Sequence, residues 1–392
     1  MAQADTILKK EKILDENIGI LNRIWRGRIW YGAEWYITIF GAILLFLIIL
    51  MTVLAPWISP YDPNELVAGP FIPPGGGQQT LLARSGEVPE FDIDDLSGLT
   101  IGSQRNTGGK IIAESLGAED QRFMTQKDLF TGLQNGTVDL IFVDALKTDE
   151  LLQEYQGIEI AAEKIGKVYW LGTDNLGRDV VSRIIWGART VMGVAISASL
   201  LSLVLGVSIG LISGFTGGRL DKTFSLIMDS IYSFPGLILA IAMVSMLGPG
   251  VINVAVAVSV VYVPTFFRVV RGQVLSVKEE LYVEAARSLG AKPLNILRLY
   301  IFPNVIPSVV VVFSLSVADA ILTEAGLSFI GLGLPPDIPD WGYDVSKGAS
   351  FLVAGHWWLV TFPGLMITLV ATGFSLLGEG LSEILNPRLV KN

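Results

Sequence analysis

Six stretches of about twenty apolar residues, each carrying few charges, constrain this chain more than any other feature. A helix rises about 1.5 Å per residue, so about 20 residues cross a hydrocarbon layer about 30 Å thick. The stretches are Ile37–Pro56, Val191–Phe215, Phe224–Leu247, Val251–Phe267, Asn304–Ile330 and Trp358–Leu377. With 51% apolar and only 17% charged residues, and a mean hydropathy of +0.55, an ordinary soluble fold is excluded. Inside lipid every backbone polar group must be satisfied internally, so the spans are read as helices. The expected fold class is an all-α polytopic membrane protein of six transmembrane helices. Trp35, Tyr36 and Trp57 flank the first span as interfacial anchors. That span reads as retained rather than as a cleaved signal peptide, since 36 residues precede it and no A-x-A site follows. The net charge of −9 argues against a nucleic-acid partner. The absence of cysteine removes disulfides and thiolate ligands, and a single histidine, His356, leaves no basis for a His-centred triad or metal site.

Charge fixes the expected topology. With the N-terminus inside, the cytoplasmic segments and the tail hold sixteen Lys/Arg, whereas the short outer loops hold only Lys347. Both termini are therefore expected in the cytoplasm. Four regions follow: residues 1–36, a cytoplasmic amphipathic segment; 37–56, the first span; 59–165, an extracytoplasmic loop; and 166–392, a membrane core holding the other five spans. The loop is acidic, with 19 Asp/Glu between Asp62 and Asp174 against nine Lys/Arg between Arg84 and Arg178, a net of −10. Its Pro70-Phe71-Ile72-Pro73-Pro74-Gly75-Gly76-Gly77 stretch reads as a flexible linker. Beyond it the periodicity becomes that of a small inserted α/β domain over about residues 92–160. Strands are expected at Leu99–Gln104 and Asp139–Asp144, and helices at Gly109–Leu116, Gln126–Asn135 and Ala145–Tyr155.

Between the fourth and fifth spans runs Leu281-Tyr282-Val283-Glu284-Ala285-Ala286-Arg287-Ser288-Leu289-Gly290. Small residues at Ala285 and Ala286 would let another protein approach a cytoplasmic helix closely. Gly290 permits a turn, and Pro303 is expected to restart a helix toward the membrane. Three carboxyl groups lie inside spans, where they are costly unless they face a partner or water. Asp319 and Glu324, five positions apart, sit about 140° apart around a helix and cannot share one face. One is expected to face a path or a sister subunit. Asp229 is expected to pair with a local arginine.

These residues carry a resemblance. Glu284-Ala285-Ala286 with Gly290, followed by Tyr300, Phe302 and Pro303, resembles the coupling-helix signature of ABC importer permeases. Leu171-Gly172-Thr173-Asp174-Asn175-Leu176-Gly177-Arg178-Asp179, Asp229 with Phe234-Pro235, and Glu324 through Gly333 with Pro336 and Trp341-Gly342 resemble the C-type permease of the dipeptide, oligopeptide and nickel group. The tail, Gly378-Glu379-Gly380-Leu381 to Asn386-Pro387-Arg388, is similar as well, with Glu379 and Asn386 where the family usually has Asp. The resemblance covers about residues 20–63 and 165–392. It implies the type I ABC importer fold and a cell-membrane permease subunit, non-catalytic itself. With a sister permease it would form a path for peptides, delivered by an extracytoplasmic solute-binding protein and driven by two ABC ATPases. Tyr282, Glu284, Ala285, Ala286 and Gly290 would form the coupling helix to an ATPase. Glu324, which the family motif matches, and Asp319, which it does not, are the candidates to line the path or gate; for Glu324 the alternative is a structural hydrogen-bond acceptor near the outer gate. No cofactor is expected on this chain, since ATP and Mg would be used by the partners. Its Gly-Lys pairs, Gly109-Lys110 and Gly166-Lys167, lack the other residues of a phosphate-binding loop. Relatives in this group also carry nickel or oligosaccharides. A secondary carrier or channel is the competing class, disfavoured by the coupling signature and by the lack of an internal repeat.

The insert is similar to one lobe of an amino-acid type periplasmic binding protein, through Asp95–Gly102, Arg105–Gly109 and Leu133–Asp144. That likeness implies a ligand carboxylate held near Arg105, Thr107, Gly108 and Gly109 at a helix start, and a ligand amine at Asp144. Since a binding protein closes two lobes over its ligand and one is present, a docking or capping module is the preferred expectation.

Overall fold

The structure, a computed structural model, describes residues 20–105 and 107–384. Residues 1–19 of the N-terminal segment, Asn106, and the Asn386-Pro387-Arg388 part of the tail lie outside the described residues. The chain divides into two compact units. One takes in Met1–Leu50, Met192–Leu327 and Thr368–Asn392; the other takes in Met51–Val191 and Ser328–Ile367.

The membrane-type helices are α1 (Ile20–Ile58), α5 (Val180–Thr216), α6 (Gly218–Tyr232), α7 (Gly236–Leu247), α8 (Val251–Val277), α11 (Phe302–Phe329) and α13 (Trp358–Ile384). Short helices α9 (Leu281–Ser288) and α10 (Pro293–Ile296) precede α11, and α12 (Trp341–Ala349) precedes α13. Among the described residues, five helices are long and apolar enough to cross a membrane. The stretch expected as one span over Phe224–Leu247 is instead a pair, α6 and α7, bent by 90°. The break falls at Ser233-Phe234-Pro235. Proline offers no N–H to the preceding turn and pushes the residue before it out of the helical region, so α6 ends and α7 starts afresh on Pro235. The count is six spans only if this bent pair is one. Several helices also outrun the apolar windows read from sequence: α1 begins at Ile20, α5 at Val180, and α8 continues to Val277. The return toward α11 restarts at Pro293, ten residues before Pro303, because proline suits a first helical position; a π-helical turn, Leu297–Ile301, then joins α10 to α11.

In the first unit, α5 meets α8 along a stripe of small residues. Ser202, Gly206, Gly210 and Gly214 recur every fourth position. The Ser202 hydroxyl donates to the Ser259 carbonyl at 2.7 Å. A Cβ on Gly206 would stand 2.5 Å from Phe266 Cβ, and one on Gly210 2.9 Å from the Phe267 carbonyl oxygen. Helices in lipid gain little from the hydrophobic effect and associate by such close backbone approach.

The second unit contains a five-stranded sheet in the order β3-β2-β4-β1-β5. Its strands are β1 (Gln79–Arg84), β2 (Thr100–Gln104), β3 (Glu119–Phe123), β4 (Leu140–Asp144) and β5 (Ile158–Ile165). β2, β3 and β4 are parallel, while β1 runs antiparallel to β4 and β5. Helix α2 (Gly109–Ser115) covers one face with Ala113 over Leu81, Ile101 and Phe142. Helix α3 (Gln126–Gln134) covers the other with Leu129, Phe130 and Leu133 over Leu82, Ile141 and Val143. A 3-10 turn, Ala145–Lys147, leads into α4 (Thr148–Glu154), so the third expected helix is two pieces. The sheet therefore spans residues 79–165 rather than about 92–160. The Pro70–Gly77 stretch is pinned rather than flexible. Phe71 N–H donates to the Asp174 carbonyl at 3.0 Å, and Gly75 N–H to that of Tyr169 at 2.9 Å. Ile72 N–H donates to the Thr173 hydroxyl at 2.9 Å. Tyr169 N–H returns a bond to the Gly76 carbonyl at 2.9 Å, so the chain leaves for the sheet and comes back at one point.

Candidate functional site

The loop between α8 and α11 is built around α9. Val283 is buried among Val270 and Val274 of α8 and Ile296, Ile301 and Val305 beyond it, and Ala286, three residues on, is buried as well. The remaining surface of α9 faces outward. Tyr282, Glu284 and Ala285 are exposed, as are Leu281 (81%), Leu289 (89%) and, on α10, Leu294. At the C-terminal end, Gly290 takes a left-handed φ of 81°. Its N–H bonds the Arg287 carbonyl at 3.0 Å while Ala291 N–H reaches back to Ala286 at 3.1 Å, which closes the last turn. Of the two alanines expected to face a partner, Ala285 is exposed and Ala286 is buried. The leucines are the part of this face that the sequence reading missed. Their signal was phase: Leu281, Leu289 and Leu294 are apolar, yet fall outside the Val283–Ala286 stripe.

Asp319 and Glu324 separate as their spacing requires: Asp319 is exposed on α11, whereas Glu324 is fully buried. Thr323, one turn beyond Asp319, shares a 2.7 Å hydrogen bond with the Tyr262 hydroxyl of α8. Asp229 pairs with Arg268 at 3.0 Å, and the Arg268 guanidinium also stands over the Tyr232 ring. A better-protected pair was not foreseen. Arg271 forks onto Asp221 at 2.6 and 2.7 Å, and the Ser213 hydroxyl donates to the same carboxylate at 2.5 Å. These bonds tie α5, α6 and α8 together beside the loop.

In the second unit, the Leu171–Asp179 element is a hydrogen-bonded knot. The Asp174 carboxylate accepts from the N–H groups of Leu176 and Arg178 and from Arg178 Nε at 2.6 Å. Thr173 is buried and donates to the Gly69 carbonyl at 2.7 Å. Asp179 accepts from both the N–H and the hydroxyl of Ser182 as α5 begins. Burial pushes the Asp179 carboxyl upward, and those bonds from Ser182 pull the other way. Arg183, 2% exposed, donates twice to Asp344 of α12 at 3.0 and 2.6 Å. Trp341 donates its indole N–H to the Ile184 carbonyl at 3.1 Å. Among the described residues no His/Cys/Asp/Glu group is arranged to hold a metal.

The residues expected to hold a ligand on the α/β domain are only partly brought together. Thr107, Gly108 and Asp144 line one cavity, from which Arg105 and Gly109 are missing. Arg105 points to solvent. Gly109 is packed inward, where a Cβ would meet Ser103 Cβ at 2.9 Å. The Thr107 hydroxyl is spent on the Gln104 carbonyl at 2.7 Å, and one Asp144 oxygen accepts from Leu146 N–H at 3.0 Å.

Residues 206–391 match the family described as binding-protein-dependent transport system inner membrane component. Residues 37–78 match the N-terminal TM domain of oligopeptide transport permease C. The chain is 41% identical over 222 residues to a glutathione transport system permease protein of Pectobacterium atrosepticum, covering 56% of this chain and 73% of that one. It is 39% identical over 221 residues to a dipeptide transport system permease protein of Alkalihalophilus pseudofirmus, covering 56% and 72%. The corresponding protein of Bacillus subtilis is 38% identical, with 56% and 69% covered. Among solved structures, the chain aligns with the MetNI methionine ABC transporter over 52% of its length and 96% of that chain, at 18% identity and a TM-score of 0.44. It also aligns with the substrate binding protein of an amino acid ABC transporter over 24% and 42%, at 26% identity and a TM-score of 0.22.

Proposed function

This chain belongs to the family of binding-protein-dependent transport system inner membrane components, and we propose that it is the permease subunit of an ABC importer for di- and oligopeptides. With a sister permease it forms the substrate path. Two partner ATPases supply the energy through ATP and Mg, and an extracytoplasmic solute-binding protein delivers the peptide. The chain carries no hydrolytic step of its own. The N- and C-termini lie in the cytoplasm and the α/β domain lies outside, in keeping with sixteen Lys/Arg against one across the short loops.

The observation that carries this reading is the face of α9 and α10. A helix held from behind by Val283 and Ala286, and showing Leu281, Tyr282, Ala285, Leu289 and Leu294 in front, is shaped to enter a groove. Because its back is fused to the ends of α8 and α11, a push on α9 moves those spans as rigid bodies. Tyr282, Glu284, Ala285 and Gly290 act at this contact, and Ala286 acts behind it as the seat. In the path, exposed Asp319 is the candidate lining residue and buried Glu324 a structural one.

The test is assembly. A Leu289→Asp/Leu294→Asp double variant should reach the membrane but lose both ATPases on purification, with loss of dipeptide uptake in proteoliposomes. Retention of the ATPases by that variant refutes the assigned face.

A further inference from the structure

The segment that joins α1 to the sheet builds a cavity that the transport reading does not use. Tyr61 lies four residues beyond Trp57, the aromatic residue that marks the end of the first span. Its N–H donates to the Ser182 hydroxyl at 3.1 Å, so it is tied to the opening turn of α5 as well. Tyr169, where the chain returns from the sheet, stands 6.0 Å from Tyr61, ring centre to ring centre. Its hydroxyl donates to the Val67 carbonyl at 2.9 Å, which fixes the loop that follows Tyr61. With α2 these two tyrosines line a cavity of about 320 Å³, within the range that small-molecule sites occupy.

The lining separates into an apolar part and two charges. Leu66, Val67, Ile111, Ile112, Leu116 and Ile165 form the apolar part. Water gains little there, because it needs several polar partners to be held. The two charges are Glu65 and Lys167. Both side chains are exposed, and among the described residues neither forms an ion pair. The Lys167 ammonium stands 5.2 Å from the centre of the Tyr61 ring, which puts it on the side of the cavity tied to the spans. A cation and an anion at the rim of an apolar chamber match a ligand with both charges on its head and an apolar tail.

Position selects among such ligands. Trp57 precedes Tyr61 and is 76% exposed; Trp170 follows Tyr169 and is 77% exposed. Bare tryptophans beside both tyrosines mark the level of the lipid headgroups, where amphipathic rings are favoured. We infer that this cavity binds a phospholipid, phosphatidylethanolamine, with its phosphate at Lys167, its ammonium at Glu65 and an acyl chain along Leu66, Ile111 and Ile112. A primary ammonium can donate charge-assisted hydrogen bonds to the Glu65 carboxylate, which a quaternary one cannot. The Tyr61 ring, which would attract a quaternary ammonium, already carries Lys167. A lipid held there ties α2 of the α/β domain to the bilayer. The inference rests on α1 crossing the membrane, and not on which solute the permease moves.

The test uses the full chain in nanodiscs of phosphatidylethanolamine, phosphatidylglycerol and phosphatidylcholine in equal amounts. Native mass spectrometry after detergent release should show phosphatidylethanolamine retained in preference to the other two, one per chain. Glu65→Gln should lower that retention about tenfold, as expected for the loss of one charge-assisted hydrogen bond. Lys167→Gln should weaken retention of every phospholipid. Leu66→Asp, at a residue 62% exposed, places a charge in the acyl slot and should abolish retention. All three substitutions are at exposed positions, and an unchanged unfolding midpoint confirms that each variant is folded. Phosphatidylethanolamine carrying a diazirine on its acyl chain should label the peptide that holds Ile111 and Ile112. An excess of free phosphoethanolamine should not displace the lipid; if it does, the ligand is a soluble phosphate ester and the lipid assignment falls. Equal retention of the three lipids, full retention in Glu65→Gln and Leu66→Asp, or no labelling of α2 overturns the site. Dipeptide uptake is measured separately, so failure of the permease reading shows there and not in the lipid measurements.

Discussion

Replacing Gly290 with alanine isolates what the turn after α9 contributes. At φ 81° an added Cβ meets nothing within 4 Å, so the substitution creates no clash and removes no packing. The whole penalty is conformational, about 1–2 kcal/mol for an L-residue held in the left-handed region. That energy acts on the two bonds that close the helix, Gly290 N–H to Arg287 and Ala291 N–H to Ala286. Their open population should rise roughly 5- to 30-fold. Hydrogen–deuterium exchange on a peptide covering residues 281–292 should show this acceleration at Gly290 and Ala291. The amides of α8 around Val270 and Val274, buried behind the loop, should keep their rates. Gly290→Asn, which tolerates the left-handed region better, should fall between alanine and the parent. In reconstituted transporter, the ATP hydrolysed per dipeptide imported should rise in the same order. Unchanged exchange in Gly290→Ala, or exchange in Gly290→Asn as fast as in alanine, would refute the argument that backbone strain at this one residue governs the seating of α9.

Arg183→Ala should lower stability by about 2–3 kcal/mol, because it leaves the partly buried Asp344 carboxylate without its partner. A joint Arg183→Met/Asp344→Leu variant should recover most of the loss, as read by thermal unfolding in detergent. Gly210→Leu should prevent the close approach of α5 to α8 and abolish the folded chain, judged by size-exclusion profile. Gly193→Leu, where a Cβ meets nothing within 4 Å, should be tolerated. A cysteine replacing Gly136 should react with an impermeant maleimide in intact cells, and one replacing Ser276 should not; labelling at Ser276 alone reverses the topology. Excising residues 79–165 and rejoining Gln78 to Gly166, close to the Gly76–Tyr169 bonds, should leave the membrane helices intact. If the acidic domain meets the arriving binding protein, uptake should become slower and less salt-sensitive, since charge steers encounter and is screened beyond about 8 Å at physiological ionic strength. Uptake equal to the parent at low and high salt refutes that role.

Those properties that depend on local pattern were legible in the sequence: where apolar runs lie, which short loops are basic, and where the period changes from that of a span to that of a strand. Strands β2 and β4 and helices α2 and α3 were readable because each repeats its own period next to a turn signal. The Asp229–Arg268 pair was anticipated because a carboxyl near a span's end has few other ways to be satisfied. Strands β1, β3 and β5 were not readable. β3 (Glu119–Phe123) is polar, and β1 and β5 are strands only by virtue of pairing across residues 79–165. Pro235 was visible, but whether a proline kinks a helix or breaks it into two at 90° depends on the neighbours that receive the freed backbone groups. Tertiary packing alone decided that Ala286 faces inward and Ala285 outward, and that Leu289 is bare. It likewise decided that Tyr61, just beyond the first span, and Tyr169, on the return from the sheet, line one cavity with α2. Each of these is a contact between residues distant in sequence, and no local periodicity records it.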